Sequence, residues 1–185
     1  MSVLMPASYE PFLQEVLIDE PTLQARVRAL GAQISDDYNN LGELLLICIL
    51  KGGVMFLSDL TRHISIPHEI DFMAVKSYHK GDRKSSRNVR IERDLEAHLE
   101  NKHVLIVEDI IDSGLTLEFV LKMLEARNPA SIKLCTLLNK ASRREVNIPV
   151  QYVGFEIEDK FVFGYGLDLD EKFRNMPFIG VAKLT

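Results

Sequence analysis

The chain has 185 residues, a formal net charge of −5, 46% apolar residues and 26% charged ones. That balance fits one globular domain with a small elaboration and carries no bias toward polyanions, so a nucleic-acid partner is not expected. Two cysteines, Cys48 and Cys135, each sit inside an apolar run; they offer neither a disulfide framework nor a metal-ligand spacing and fit a reducing cytoplasm. The run 44–50 is too short to span a bilayer, and the start MSVLMPASYEPF lacks a basic opening and a long apolar core, so neither membrane insertion nor export is expected.

Residues 1–14 read as a loose arm with Pro6 and Pro11, followed by a short strand at 15–18. Asp19 is placed to cap a helix with Pro21 in its first turn. Leu23, Val27, Leu30 and Ile34 then repeat at helical spacing and give that helix one buried stripe. The stretch 44–50 (LLLICIL) is apolar at every position, as in a strand covered on both faces. Lys51, Gly52 and Gly53 turn the chain into a helix with Val54, Leu57, Thr61 and Ile64 as its stripe, and 69–75 is a further strand. Residues 76–90 gather Lys76, Lys80, Arg83, Lys84, Arg87 and Arg90 against Asp82 and show no stable apolar face. This stretch reads as a long mobile loop or weak hairpin, and a loop of that length inside a domain is usually functional.

The apolar run 104–107 ends in Glu108 and Asp109; Asp112, Ser113, Gly114 and Thr116 follow, and then Leu117, Val120, Leu121 and Leu124 form a helical face. The pattern is strand, acidic turn, anion-binding loop, helix: unpaired N–H groups and hydroxyls meet the positive end of a helix dipole beside two carboxylates. Residues 131–138 make another buried strand, 150–157 and 160–165 are strand candidates around a turn at Glu158 and Asp159, and 178–181 is a last apolar piece. Strands alternating with helices give an α/β fold, a doubly wound, mostly parallel sheet flanked by helices. Right-handed crossovers then bring the turn at 51–53, the stretch 77–90, the loop 108–116 and the turn after Leu138 to the carboxyl edge of the sheet, where such folds bind ligands.

VLIVEDIIDSGLT resembles the phosphoribosyl-pyrophosphate signature of the type I phosphoribosyltransferases. With Leu50-Lys51-Gly52-Gly53, Ser77-Tyr78 and DKFVFGYGLD followed by Arg174, the resemblance extends over about 15–181 and points to hypoxanthine(-guanine) phosphoribosyltransferases of the bacterial type. It implies a single domain over 1–185, with a core at about 22–140, a hood from about 12–20 and 150–185, and a lid at 76–90 carrying Ser77 and Tyr78. It also implies a cytoplasmic homodimer or homotetramer that handles phosphoribosyl pyrophosphate and a 6-oxopurine base with Mg²⁺.

The roles carried over are specific. Glu108 and Asp109, which as a lone acid pair would read as a solvated turn, face the ribose hydroxyls and Mg²⁺. Asp112, which alone reads as a helix cap, takes the proton from purine N7. Ser113, Gly114, Leu115 and Thr116 cradle the 5′-phosphate; Leu115 stands where some eukaryotic members carry lysine, so that cradle rests on backbone and hydroxyl donors. Lys51 and Gly52 bind pyrophosphate behind a Leu50–Lys51 bond that is often cis in the family, and Arg174 joins them. Lys140, otherwise a surface lysine, donates to the purine O6 and so selects 6-oxopurines over adenine. Phe161, otherwise core, stacks on the base, Val162 offers it backbone groups, and Asp168 meets the purine or a second Mg²⁺. Two rivals stand beside this reading. A regulator with the same fold that binds RNA or DNA would need a basic face outside the site. A receiver-type signalling domain would leave the S-G-x-T cradle without a purpose.

Overall fold

In the computed structural model, which describes residues 9–78 and 88–183, the chain runs β1 (Leu13–Ile18), α1 (Glu20–Tyr38), β2 (Leu44–Leu50), α2 (Val54–Thr61), β3 (His68–Tyr78), β4 (Asn88–Arg93), β5 (His103–Ile111), α3 (Leu115–Glu125), β6 (Ser131–Asn139), β7 (Tyr152–Glu156), β8 (Val162–Phe163) and β9 (Ile179–Ala182). The main sheet has the order β4-β3-β2-β5-β6-β7, and a second sheet has the order β1-β9-β8. Within the main sheet only β4 is antiparallel to its neighbour.

The layering follows from the two-residue period of a strand. Leu44, Leu46 and Cys48 of β2 join the core formed with α1 and α2, whereas Leu45, Ile47 and Ile49 join the core formed with α3. Strand β5 divides the same way, with Leu105 and Val107 on the first side and Val104 and Ile106 on the second. A strand covered on both faces must be apolar throughout, which explains LLLICIL. In α1 the expected stripe holds: Leu23, Val27, Leu30 and Ile34 are all fully buried. Each such side chain contributes on the order of 1.5–3 kcal/mol. Asp19 caps this helix, its Oδ1 accepting from Thr22 N at 2.9 Å. The buried face of α2 agrees with expectation at Leu57 but is not identical to the expected stripe. It consists of Phe56, Leu57 and Leu60, while Val54 and Thr61 are only partly covered and Ile64 is buried beyond the helix end.

Two boundaries differ from the sequence reading. Strand β3 is longer than 69–75 and continues into the basic stretch, where Lys76, Ser77 and Tyr78 pair with Arg90, Val89 and Asn88 of β4. The hairpin alternative therefore applies to both ends of the stretch 76–90; its middle, 79–87, lies outside the described residues. The hood was expected to include 150–157, but Tyr152–Glu156 is the edge strand of the main sheet, parallel to β6. It is tied there by Arg26 of α1, whose Nε donates to Gly154 O at 2.9 Å. Of the C-terminal part, β9 pairs with β1 on one side and β8 on the other to build the hood, with Phe163, Met176, Phe178 and Ala182 as its own small core.

Strand β2 leads through α2 to β3 on one side, and β5 leads through α3 to β6 on the other. The order therefore reverses between β2 and β5, which are direct neighbours with Cys48 opposite Val107. The carboxyl ends of these two strands open a crevice at the switch point, the place where doubly wound sheets bind ligands.

Candidate active site

The crevice is built around a close approach. A β-carbon at Gly52 would lie 1.7 Å from Asp109 Oδ2, so the absence of a side chain at 52 is what lets the carboxylate enter the turn after β2. The peptide bond before that turn, Leu50–Lys51, is cis. Asp109 Oδ1 accepts from Ile110 N at 2.8 Å. Burial pushes the Asp109 carboxyl up to about 6, with Asp168 adding to the effect, against the pull of backbone hydrogen bonds and the Arg174 guanidinium. Glu108 is 9% exposed, and burial followed by the charge of Asp109 raises it well above the usual carboxylate range. A buried acid beside a half-buried one has little of the charge compensation that such groups need. That environment suits a hard cation, because Mg²⁺ takes few protein carboxylates and keeps waters and phosphate oxygens for the rest of its shell. Among the described residues no three His, Cys, Asp or Glu side chains gather as a metal cage.

Past the acids, β5 continues to Ile111 and the chain turns into α3. The helix cap is Gly114, at φ +82° and without a side-chain cap bond. A β-carbon there would be both strained and within 3.2 Å of Ile148, Val146 and Arg144. Asp112 is thus not spent on capping. Its carboxylate instead faces Arg143, with Oδ1 3.3 Å from Nε. Ser113 Oγ accepts weakly from Leu115 N at 3.5 Å. Glu108, Asp112, Ser113, Gly114 and Thr116 line a concavity of about 150 Å³ at the N-terminus of α3, the end at which a helix favours an anion.

The segment after β6 folds back over this loop. Lys140 N donates to Ile111 O at 3.0 Å and Glu145 N to Ser113 O at 3.0 Å. Lys140 is buried, 7% exposed, rather than a surface lysine, and its Nζ lies 3.5 Å from Asp159 Oδ1. Arg143 reaches the other oxygen of Asp159 at 3.6 Å, so it joins Asp112 to the lysine through one carboxylate. Phe161 stands two residues further on and is 50% exposed, not core; Val162 is buried in β8.

The hood loop supplies the remaining wall. Gly166, at φ +102°, is packed so closely that a β-carbon would lie 2.0 Å from Gly52 O. Tyr165 Oη donates to Asp59 Oδ2 of α2 at 2.6 Å and fixes the loop from behind. Arg174 donates through Nη1 to Gly166 O at 2.8 Å and pairs through Nη2 with Asp168 at 2.9 Å and Glu171 at 3.2 Å. Lys51 Nζ lies 2.9 Å from Glu171 Oε2. Lys51, Gly52, Asp109, Asp168 and Arg174 therefore converge. Both oxygens of Asp168 are engaged within the loop, the second by Glu171 N at 3.0 Å. The Ser77 and Tyr78 backbones form the end of β3, paired with β4.

Three charged partners in this site escaped the sequence reading. Arg143, Asp159 and Glu171 touch assigned residues across gaps of up to 120 positions, which no local pattern encodes. Arg144 bonds to Asn139 Oδ1 and keeps its Nη1 buried without a partner among the described residues, beside Gly114.

Comparison with known proteins agrees with this geometry. The family model described as phosphoribosyl transferase domain matches residues 14–172. The hypoxanthine phosphoribosyltransferase of Salmonella typhimurium is 48% identical over 171 residues, covering 92% of this chain and 96% of that protein. The hypoxanthine-guanine phosphoribosyltransferase of Mycobacterium tuberculosis is 45% identical over 177 residues, covering 93% and 87%. The crystal structure of a hypoxanthine phosphoribosyltransferase from Staphylococcus aureus superposes with a TM-score of 0.92 at 44% identity, covering 97% of this chain and 96% of that one. Signature, switch-point crevice and similarity over nearly the whole chain lead to one conclusion: the chain belongs to the phosphoribosyltransferase family, with the hypoxanthine and hypoxanthine-guanine phosphoribosyltransferases as its relatives.

Proposed function

We propose that the protein is a purine salvage enzyme. It transfers the 5-phosphoribosyl group from phosphoribosyl pyrophosphate to N9 of hypoxanthine or guanine, giving IMP or GMP and pyrophosphate. The observation that carries this reading is the position of Asp112, between the anion concavity at α3 and the Lys140–Asp159–Arg143 cluster. A carboxylate free of capping duty separates a phosphate end from a base end.

In this scheme the α3 N-terminus, Ser113, Gly114, Leu115 and Thr116 hold the 5′-phosphate, and Glu108 and Asp109 hold the ribose hydroxyls. N9 of the purine attacks C1 of the sugar while the bond from C1 to the pyrophosphate oxygen breaks. Asp112 accepts the proton released from N7. Lys140 donates to O6, which rewards a carbonyl and penalises the amino group of adenine. The exposed ring of Phe161 stacks on the base, and Val162 offers its backbone to the base edge. Lys51, Gly52 and Arg174 receive the pyrophosphate, and the lid with Ser77 and Tyr78 keeps water from the cation-like sugar carbon. Mg²⁺, held by Glu108 and Asp109 and by Asp168 through water, would supply charge neutralisation of the pyrophosphate.

The buried free thiols of Cys48 and Cys135 accord with a cytoplasmic setting, and no helix among the described residues is long and apolar enough to cross a membrane. Assembly as a homodimer or homotetramer belongs to the same proposal and is read by light scattering. Nothing in the site favours a nucleic-acid-binding regulator. The test of the enzyme reading is a mixture of protein, phosphoribosyl pyrophosphate, Mg²⁺ and one base. Nucleotide and pyrophosphate are expected with hypoxanthine or guanine and not with adenine. Release of pyrophosphate with none of hypoxanthine, guanine or xanthine would sink it.

A further inference from the structure

The hood loop sets a carboxylate where the leaving group of the proposed reaction belongs. One oxygen, Glu171 Oε2, lies 2.9 Å from Lys51 Nζ and 3.2 Å from Arg174 Nη2. These cations come from distant parts of the chain, the turn after β2 and the end of the hood loop, and Glu171 bridges them. The backbone holds it in place. Glu171 is at φ +61°, between Asp170 at +52° and, two residues on, Phe173 at +65°, a region that residues other than glycine seldom adopt. Its N–H is fastened to Asp168 Oδ2 at 3.0 Å, while Asp168 Oδ1 holds Arg174 at 2.9 Å. The glutamate side chain is 68% exposed, so it can swing into water without leaving a buried charge behind.

We propose that Glu171 is an internal stand-in for phosphate: its carboxylate occupies the Lys51–Arg174 pair in the ligand-free protein and leaves when a pyrophosphoryl group arrives. Glu171 touches no reacting atom in this scheme. It sets affinity, because every binding event at the pair must displace it and every release of pyrophosphate is assisted by its return. A carboxylate bridging two cations carries one negative charge; a pyrophosphoryl group carries several and wins the exchange, but from a weaker starting point than bare cations would give. The inference rests on the reading of Lys51 and Arg174 as the pyrophosphate-binding pair.

The experiment is calorimetric titration of inorganic pyrophosphate, in magnesium-containing buffer, into the unsubstituted protein, Glu171→Gln and Glu171→Asp. Glu171→Gln keeps length and shape and removes the charge. It is expected to bind about three- to tenfold tighter, the range set by two exposed ion pairs. The gain should shrink as salt is raised, and KM for phosphoribosyl pyrophosphate should fall in step with Kd. Glu171→Asp, one methylene shorter, reaches one cation at a time and is expected to fall between the two. Binding by Glu171→Gln that is unchanged or weaker would overturn the proposal. Lys51→Met and Arg174→Met keep the outcomes apart. If both bind pyrophosphate as the unsubstituted protein does, the assignment of the pair fails; if both lose binding while Glu171→Gln gains none, only the role of Glu171 fails.

Discussion

Replacing Gly52 by alanine should disable the site while leaving the fold almost untouched. The new β-carbon would lie 1.7 Å from Asp109 Oδ2 and 2.6 Å from its Cγ. To reach an ordinary contact of about 3.4 Å the carboxylate has to retreat by about 1.7 Å. Gly52 does not occupy the left-handed region, so the substitution brings no backbone strain and lowers the entropy of the unfolded chain by an amount equivalent to about 0.4–1 kcal/mol. The melting temperature should therefore move by only a few degrees. A displacement of about 1 Å in a reacting constellation costs on the order of 100-fold in rate. We expect kcat/KM for phosphoribosyl pyrophosphate to fall by about that factor, measured by pyrophosphate release with hypoxanthine. The pairing is checked by a double-mutant cycle with Asp109→Ala: if Gly52→Ala acts by displacing Asp109, the double variant should be no worse than Asp109→Ala alone. A Gly52→Ala protein within about threefold of normal kcat/KM, or losses that simply multiply in the double variant, would refute the reasoning.

Three further outcomes are expected. Asp112→Asn should lower kcat by about 10²- to 10⁴-fold while leaving the Kd for phosphoribosyl pyrophosphate within about threefold, since it removes a proton acceptor rather than an anion donor; equal losses in both would contradict its role. Lys140→Met should cost hypoxanthine turnover more than it costs any residual turnover of adenine, because only the carbonyl loses a donor; parallel losses would remove Lys140 from base selection. Asp109, raised to about 6, is protonated more readily in the fold than in the unfolded chain, so ligand-free stability should be highest below pH 4 as far as this group is concerned and should decline as pH rises through about 6. Magnesium-dependent binding of phosphoribosyl pyrophosphate should run the opposite way, strengthening about tenfold per unit as pH rises toward 6 and levelling above it; a flat profile across pH 5–7 would show that this carboxylate is not the ligand.

The elements that the sequence conveyed well are those in which period and burial agree. LLLICIL is apolar throughout because its alternate residues feed two cores, and the α1 stripe is spaced for one face. The anion loop was legible because its chemistry is local, with acids, hydroxyl, glycine and helix start in consecutive positions. Other features depend on distant neighbours. The stretch 150–157 has the same apolar character whether it joins the hood or the main sheet, and contacts such as Arg26 with Gly154 accompany its place beside β6. Asp112 looked like a cap since Asp often is one, but Gly114 adopts the left-handed conformation that the turn into α3 demands. Gly52 looked like a turn residue, whereas the stronger constraint on it is a carboxylate 57 positions away. The bridging role of Glu171 could not be read from a charged tail in which several residues look equivalent.

The contact between Gly166 and the Gly52 carbonyl has a consequence for redesign. Gly166 meets a backbone oxygen there, with no room for a side chain at 166, so side-chain exchange at that position cannot tune the contact. In the proposed scheme this seam joins the two parts of the leaving-group wall, the turn after β2 and the hood loop that carries Arg174. In the same scheme the base wall is assembled differently, from the side chains of Lys140, Arg143 and Asp159, which meet through their charged tips, and the exposed ring of Phe161. Those positions can be exchanged one at a time. A library aimed at a new acceptor base should vary them and keep the glycine seam fixed, and variants that acquire the new base should retain the parental affinity for the phosphoribosyl donor.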